Sequence, residues 1–271
     1  MRGALAQEWV RLRTLRSTWL LSAASLVLTV VVAVAATLTA GSRQLAPGVT
    51  SALGDQQAYA TVLASTAQLT PLLMGLLGVF AFGHEYRHGT IRPTLTSSPR
   101  RTAVALAKVT GVAAWSLVVA LACVLASAGV ALLLGGGRFA AGVGPTGGPT
   151  ERVAAGSVAY VVLVALLGLG LGWLLRNVPA AVSLLLLLPL VVEPIVRGVL
   201  SIGALEPLAD IGRYLPFGAG AQLYAFSTEV DPQVPAAFRN DLSPLAGGLT
   251  LAAVTAALLA AAYALFQRRD A

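Results

Sequence analysis

Six apolar runs, divided by short polar stretches, account for most of the chain: residues 19–40, 59–82, 102–134, 153–175, 179 to about 196, and 245–266. Each is close to or beyond the ~20 residues that a helix needs to cross ~30 Å of hydrocarbon. Backbone groups in lipid must be satisfied within their own segment, so these runs predict helices. None alternates polar and apolar residues as a barrel strand would. The third run is longer than a bilayer requires. The second carries Gln68, Thr70 and Pro71 at its middle. Polar residues at that depth face a bundle interior, either lining a substrate path or bonding helix to helix, and the proline predicts a kink. In the fourth run Gly168, Gly170 and Gly172 predict one face built for close helix packing. A tight turn at Arg176 and Asn177 precedes the fifth, which Pro179 opens.

The segments between the runs add detail. Before the first, Leu5, Trp9, Leu12, Leu15 and Trp19 recur at helical spacing opposite Arg2, Arg11, Arg13 and Arg16. That pattern predicts a helix lying in the interface, with tryptophan at headgroup depth and arginine toward anionic lipid. The simpler reading is a basic flank that orients the first span. That first span is too long for a signal-peptide core, and five more follow, so it is expected to be retained. Residues 41–58 and 135–152 are rich in glycine and proline and read as loops. The stretch 197–244 is the longest outside the spans. In its first half Val199, Leu200, Ile202, Leu205, Leu208, Ile211 and Leu215 recur among Glu206, Asp210 and Arg213, a pattern for one or two helices dipping into a leaflet.

Composition agrees. With 57% hydrophobic and 11% charged residues and a mean hydropathy of +0.81, the chain does not suit a water-soluble surface. The expected fold is an all-α integral membrane protein, one transmembrane domain over residues 1–271. A net charge of +7 and a pI near 10.3 raise the question of nucleic acid, which the distribution of charge answers. With both termini inside, the inner segments hold twelve of the eighteen basic residues and three of the eleven acids, net +9; the outer segments hold six and eight, net −2. This is the positive-inside pattern, so no nucleic-acid partner is needed and both termini are expected in the cytoplasm of a multi-pass protein of the cell membrane. The lone Cys123 lies in an apolar run and offers neither a disulfide framework nor a cysteine metal site.

One polar stretch, residues 83–108, holds both histidines, four arginines and a lysine between the second and third spans. Its start, His84-Glu85-Tyr86-Arg87-His88, matches the H-E-x-x-H pattern of two zinc-binding imidazoles with a glutamate base, which makes a membrane zinc peptidase the alternative reading. Against it, Gly89 follows at once, Tyr86 and Arg87 suit a buried helix poorly, and Glu206 and Asp210 fall on the other side. A third ligand would have to come from Glu8 or Asp270.

Read on, the stretch resembles a known one. E-Y-R-H-G-T-I-R-x-T-L-x-x-x-P-R-R, with Lys108 beyond, is similar to the first cytoplasmic loop of ABC-2-type exporter permeases, and Glu8-Trp9-x-x-Leu12-x-Thr14-x-Arg16-Ser17-Thr18-Trp19 resembles their start. The resemblance implies a coupling helix near residues 82–90 that docks on a separate ATPase, with Glu85, Tyr86, Arg87, His88 and Thr90 at the contact and Gly89 turning the chain away. It implies re-entrant helices after residue 196, and a translocation path past Gln68, Thr70 and Glu193, the last being equally an interfacial anion. It further implies two ATPase copies and a second permease subunit, identical or paralogous. No Gly-x-x-x-x-Gly-Lys-Ser/Thr phosphate loop occurs, so ATP and Mg are expected in the partner, with no cofactor in this chain. Apolar or amphipathic cargo is expected to pass more easily than charged cargo.

Overall fold

A computed structural model describes residues 2–43, 52–87, 101–135, 150–225 and 242–268. Apart from short turns, the described residues are helical. The order is α1 (Arg2–Thr14), α2 (Arg16–Arg43), α3 (Ala52–Ala64), α4 (Thr66–Arg87), α5 (Arg101–Gly135), α6 (Thr150–Leu175), α7 (Val178–Leu187), a π turn (Leu188–Val192), α8 (Glu193–Leu200), a 3-10 helix (Gly203–Tyr214), α9 (Pro216–Ala221) and α10 (Pro244–Arg268). Six stretches are long and apolar enough to cross a membrane: Arg16–Thr39, Ala58–Gly83, Thr102–Gly135, Thr150–Leu175, Val178–Leu200 and Pro244–Arg268. They coincide with the six apolar runs.

Most residues of the second and fourth spans are buried, whereas the other four spans bury only a minority. The pair α4 and α6 therefore forms the axis of the bundle, flanked by α2, α5, α7 and α10. Glycine allows the close approach. A Cβ at Gly78 would strike the Ala165 carbonyl and stand 2.7 Å from the Leu169 amide, and one at Gly168 would stand 2.9 Å from the Gly75 Cα. Gly172 meets Val79 in the same way. Gly170 does not share this face: two residues turn an α-helix by about 200°, and its Cβ position points instead at Leu258 of α10, 2.9 Å away.

The core divides along the axis. At the end that carries α1 and the last turn of α10, hereafter the terminal end, Phe82 and Trp173 stack at 4.4 Å with Phe266 edge-on at 6.1 and 5.5 Å. At the opposite end Tyr59, Ala60 and Leu63 pack with Ala33, Ala131 and Val153.

Several local features differ from expectation. Residues 52–58 are helical and not loop, because alanine, leucine and glutamine there are good helix formers that outweigh Gly54. The second span is interrupted at Ser65, between α3 and α4, while Pro71 sits inside α4. The proline cannot donate to the Ala67 carbonyl, which weakens the helix toward its N-terminal side, where the break falls. Span five runs on to Leu200 through the π turn at Pro189, which likewise lacks a donor. The turn expected at Arg176 and Asn177 is present: Arg176, at φ 52°, takes the left-handed position that ends α6, and Asn177 caps α7 by accepting from the Ala180 amide at 3.2 Å.

Candidate functional site

The polar stretch begins inside a helix. Residues 84–87 form the last turn of α4, which runs unbroken from Thr66. His84, Glu85, Tyr86 and Arg87 thus continue the second span itself and do not start a separate helix. His88, Gly89 and Thr90 lie outside the described residues.

One turn above Glu85, two cations converge on a backbone carbonyl and share one carboxylate. Lys108 of α5, 1% exposed, donates to the Ala81 carbonyl at 3.0 Å and to Glu8 Oε2 at 3.3 Å. Arg11 donates to the same carbonyl at 2.9 Å and pairs with Glu8 Oε1. Glu8 is 5% exposed. A buried charge is tolerable only when paired and hydrogen-bonded, and here one carboxylate and one carbonyl serve two cations. The Lys108 ammonium also sits 4.9 Å from the centre of the Phe82 ring, a cation-π contact. Glu8 reaches this place because Gly111 on α5 has no side chain: a Cβ there would stand 2.9 Å from Glu8 Cγ.

The expected N-terminal helix is broken at Leu15, so Arg16 and Trp19 belong to the start of α2. Arg13 and Arg16 are exposed, as are Trp9 and Trp19, which meet Trp115 edge-on at 5.9 and 5.4 Å. Arg11 turns inward, and Leu12 beside it is 1% exposed. The cluster was hard to foresee because Glu8 and Lys108 are a hundred residues apart. Its one sequence signal is a lysine set two turns inside an apolar run.

The polar residues of the second span separate. Thr70 is buried and hydrogen-bonds Thr29 of α2 at 3.0 Å, beside the buried Cys123, whereas Gln68 is exposed. Glu193 is buried and accepts from the Phe217 and Gly218 amides at 2.7 and 2.8 Å, holding the start of α9. That short helix packs on α10, where Gly247 faces the Ala219 carbonyl. After it the Tyr224 ring meets Tyr160 at a tilt of 56°, centroids 5.3 Å apart, and Arg152 donates to the Ala225 carbonyl at 2.7 Å. Burial pushes the Tyr224 phenol above its ordinary value, so the group adds no charge there.

Comparison with known families gives one match. A family model described as "ABC-2 family transporter protein" covers residues 4–202, from α1 to just past α8. It includes the charged cluster, the polar stretch and Glu193, and stops before the 3-10 helix. A search of curated proteins returns no match.

Proposed function

Since the chain belongs to the ABC-2 family of transporter proteins, we propose that it is the permease of an ATP-driven exporter, powered by a separate ATPase subunit that grips the last turn of α4. The family places it among transport membrane components, which are not themselves catalytic. The observation that carries the rest is the continuity of α4. The residues proposed for the grip, Glu85 to Thr90, begin on a helix that also forms the buried axis of the bundle. A push on them is delivered to the packed interior and not absorbed by a loop.

In this reading the arginine-rich terminal end faces the cytoplasm of a cell whose plasma membrane the six spans cross. Trp9 and Arg13 of α1 and Arg16 at the start of α2 meet lipid headgroups. The segment 203–221 is the re-entrant cap at the outer side. Its exposed Leu208, Ile211 and Tyr214 support that placement, because apolar side chains are at home in a leaflet. Two such chains, or this chain and a paralogue, flank a pathway for apolar or amphipathic cargo. Two ATPase subunits with bound ATP and Mg close beneath them, and the bundles alternate between inward and outward exposure.

The test is capture of an ATPase. Glu85→Ala together with Arg87→Ala is expected to abolish co-purification of a Walker-motif ATPase with the detergent-extracted chain and to remove the chain's stimulation of ATP hydrolysis. Capture and stimulation at the wild-type level would overturn the reading.

A further inference from the structure

We propose that Glu8, Arg11 and Lys108 form a joint that makes α1 and the start of α5 move with the last turn of α4 when the ATPase engages it. This rests on the functional reading above and adds the route by which the push spreads. All three are positioning residues: none touches cargo or nucleotide.

Four observations support it. First, both cations converge on the Ala81 carbonyl. In an α-helix that oxygen is the acceptor for the amide of residue 85, so the joint holds α4 at the rung leading to Glu85. Residues 81 and 85 are separated by about 6 Å of rigid helix at 1.5 Å per residue. Second, α1 packs mainly on α5 and α4 mainly on α6, and Arg11 ties α1 to α4 by a hydrogen bond. Third, the Lys108–Glu8 pair is shielded, with Lys108 1% and Glu8 5% exposed and Leu12 buried beside them, while Arg11 is half-buried. A bond of that pair that slips finds little water to replace it. Fourth, charge is a poor choice for stability alone at such a place. A well-packed apolar set of similar volume is commonly as stable as a buried ion cluster. What ions add is a preferred direction, since a hydrogen bond weakens steeply as its donor angle falls from linear. A joint needs that property and a filler does not.

The test uses the whole complex in nanodiscs with a cysteine on α1. Ala6 is exposed and the native Cys123 is buried, so Ala6→Cys gives a single accessible thiol. Its maleimide labelling rate is measured with and without ATP and vanadate. With the joint intact the rate is expected to change by about fivefold or more, the lower end of ordinary coupling between sites. Lys108→Met alone leaves Glu8 Oε2 without its lysine and is expected to lower stability. The triple variant Glu8→Gln/Arg11→Met/Lys108→Met removes all three charges and is expected to fold, to capture the ATPase, and to lose the nucleotide effect on labelling of the α1 thiol. A triple variant that keeps the full effect overturns the joint. So does one that no longer captures the ATPase, because a joint above the grip has no part in gripping. A wild-type chain that captures no ATPase overturns the functional reading itself, and the joint with it.

Discussion

Gly78 gives the sharpest test of the α4–α6 axis. Its absent Cβ would stand 2.7 Å from the Leu169 amide and run into the Ala165 carbonyl, both of them backbone. Contacts of this kind settle near ~3.5 Å, so clearing the Ala165 carbonyl in Gly78→Ala must part the two helices by roughly 1 Å or more. Overpacking of that kind costs about 1–3 kcal/mol, and the upper end applies because no side chain can rotate aside. Replacing a mid-helix glycine by alanine returns about 1 kcal/mol through helix propensity. The net expectation is a loss of about 2 kcal/mol. Gly129 of α5 is the control: nothing lies within 4 Å of its Cβ position, so Gly129→Ala should match or slightly exceed wild type. Gly168→Ala wedges the same interface against Gly75, and one separation relieves both clashes. The double variant should therefore cost less than the sum of the singles, by about 0.5–3 kcal/mol. Unfolding in mixed detergent micelles, followed by the fluorescence of Trp173 against Phe82, reads these differences. If Gly78→Ala proved as stable as Gly129→Ala, the close axis would be refuted.

Two further outcomes are expected. Glu193→Ala strips the Phe217 and Gly218 amides of their acceptor, costing about 1–3 kcal/mol for a buried unmet donor, while Glu193→Gln keeps one acceptor and costs less. Hydrogen exchange at residues 216–221 should be fastest in Glu193→Ala, slower in Glu193→Gln and slowest in wild type, and equal protection in all three proteins would contradict the cap. Thr29→Val and Thr70→Val each remove one side of a 3.0 Å bond between α2 and α4. A double-mutant cycle should give a coupling near ~0.6 kcal/mol, typical of such bonds in membranes, and zero coupling would show that the bond contributes nothing.

The spans were legible because lipid imposes a length and a composition that soluble folds do not. The run 102–134 and the structural span Thr102–Gly135 differ by one residue at one end. Breaks inside spans were less legible. Pro71 advertises a weak helix, yet the interruption falls at Ser65, since a missing donor weakens a stretch without choosing which residue yields. Gly168, Gly170 and Gly172 look alike in sequence, but the step of about 100° per residue sends the middle one to α10. The charged cluster was least legible. Arg11 fits the interfacial stripe of α1 as well as Arg13 does, and only the tertiary approach of Ala81 turns it inward. Glu193 likewise reads as a path or surface anion until the Phe217 and Gly218 amides, 24 and 25 residues on, arrive to occupy it.

Sidedness decides whether an ATPase can reach the end of α4 at all. Thr90→Cys introduces a thiol into the polar stretch while the native Cys123 stays buried, and a membrane-impermeant maleimide can be applied to intact cells and to inverted vesicles. The account predicts labelling in inverted vesicles alone. Labelling of intact cells would place the polar stretch outside the cell and contradict the account.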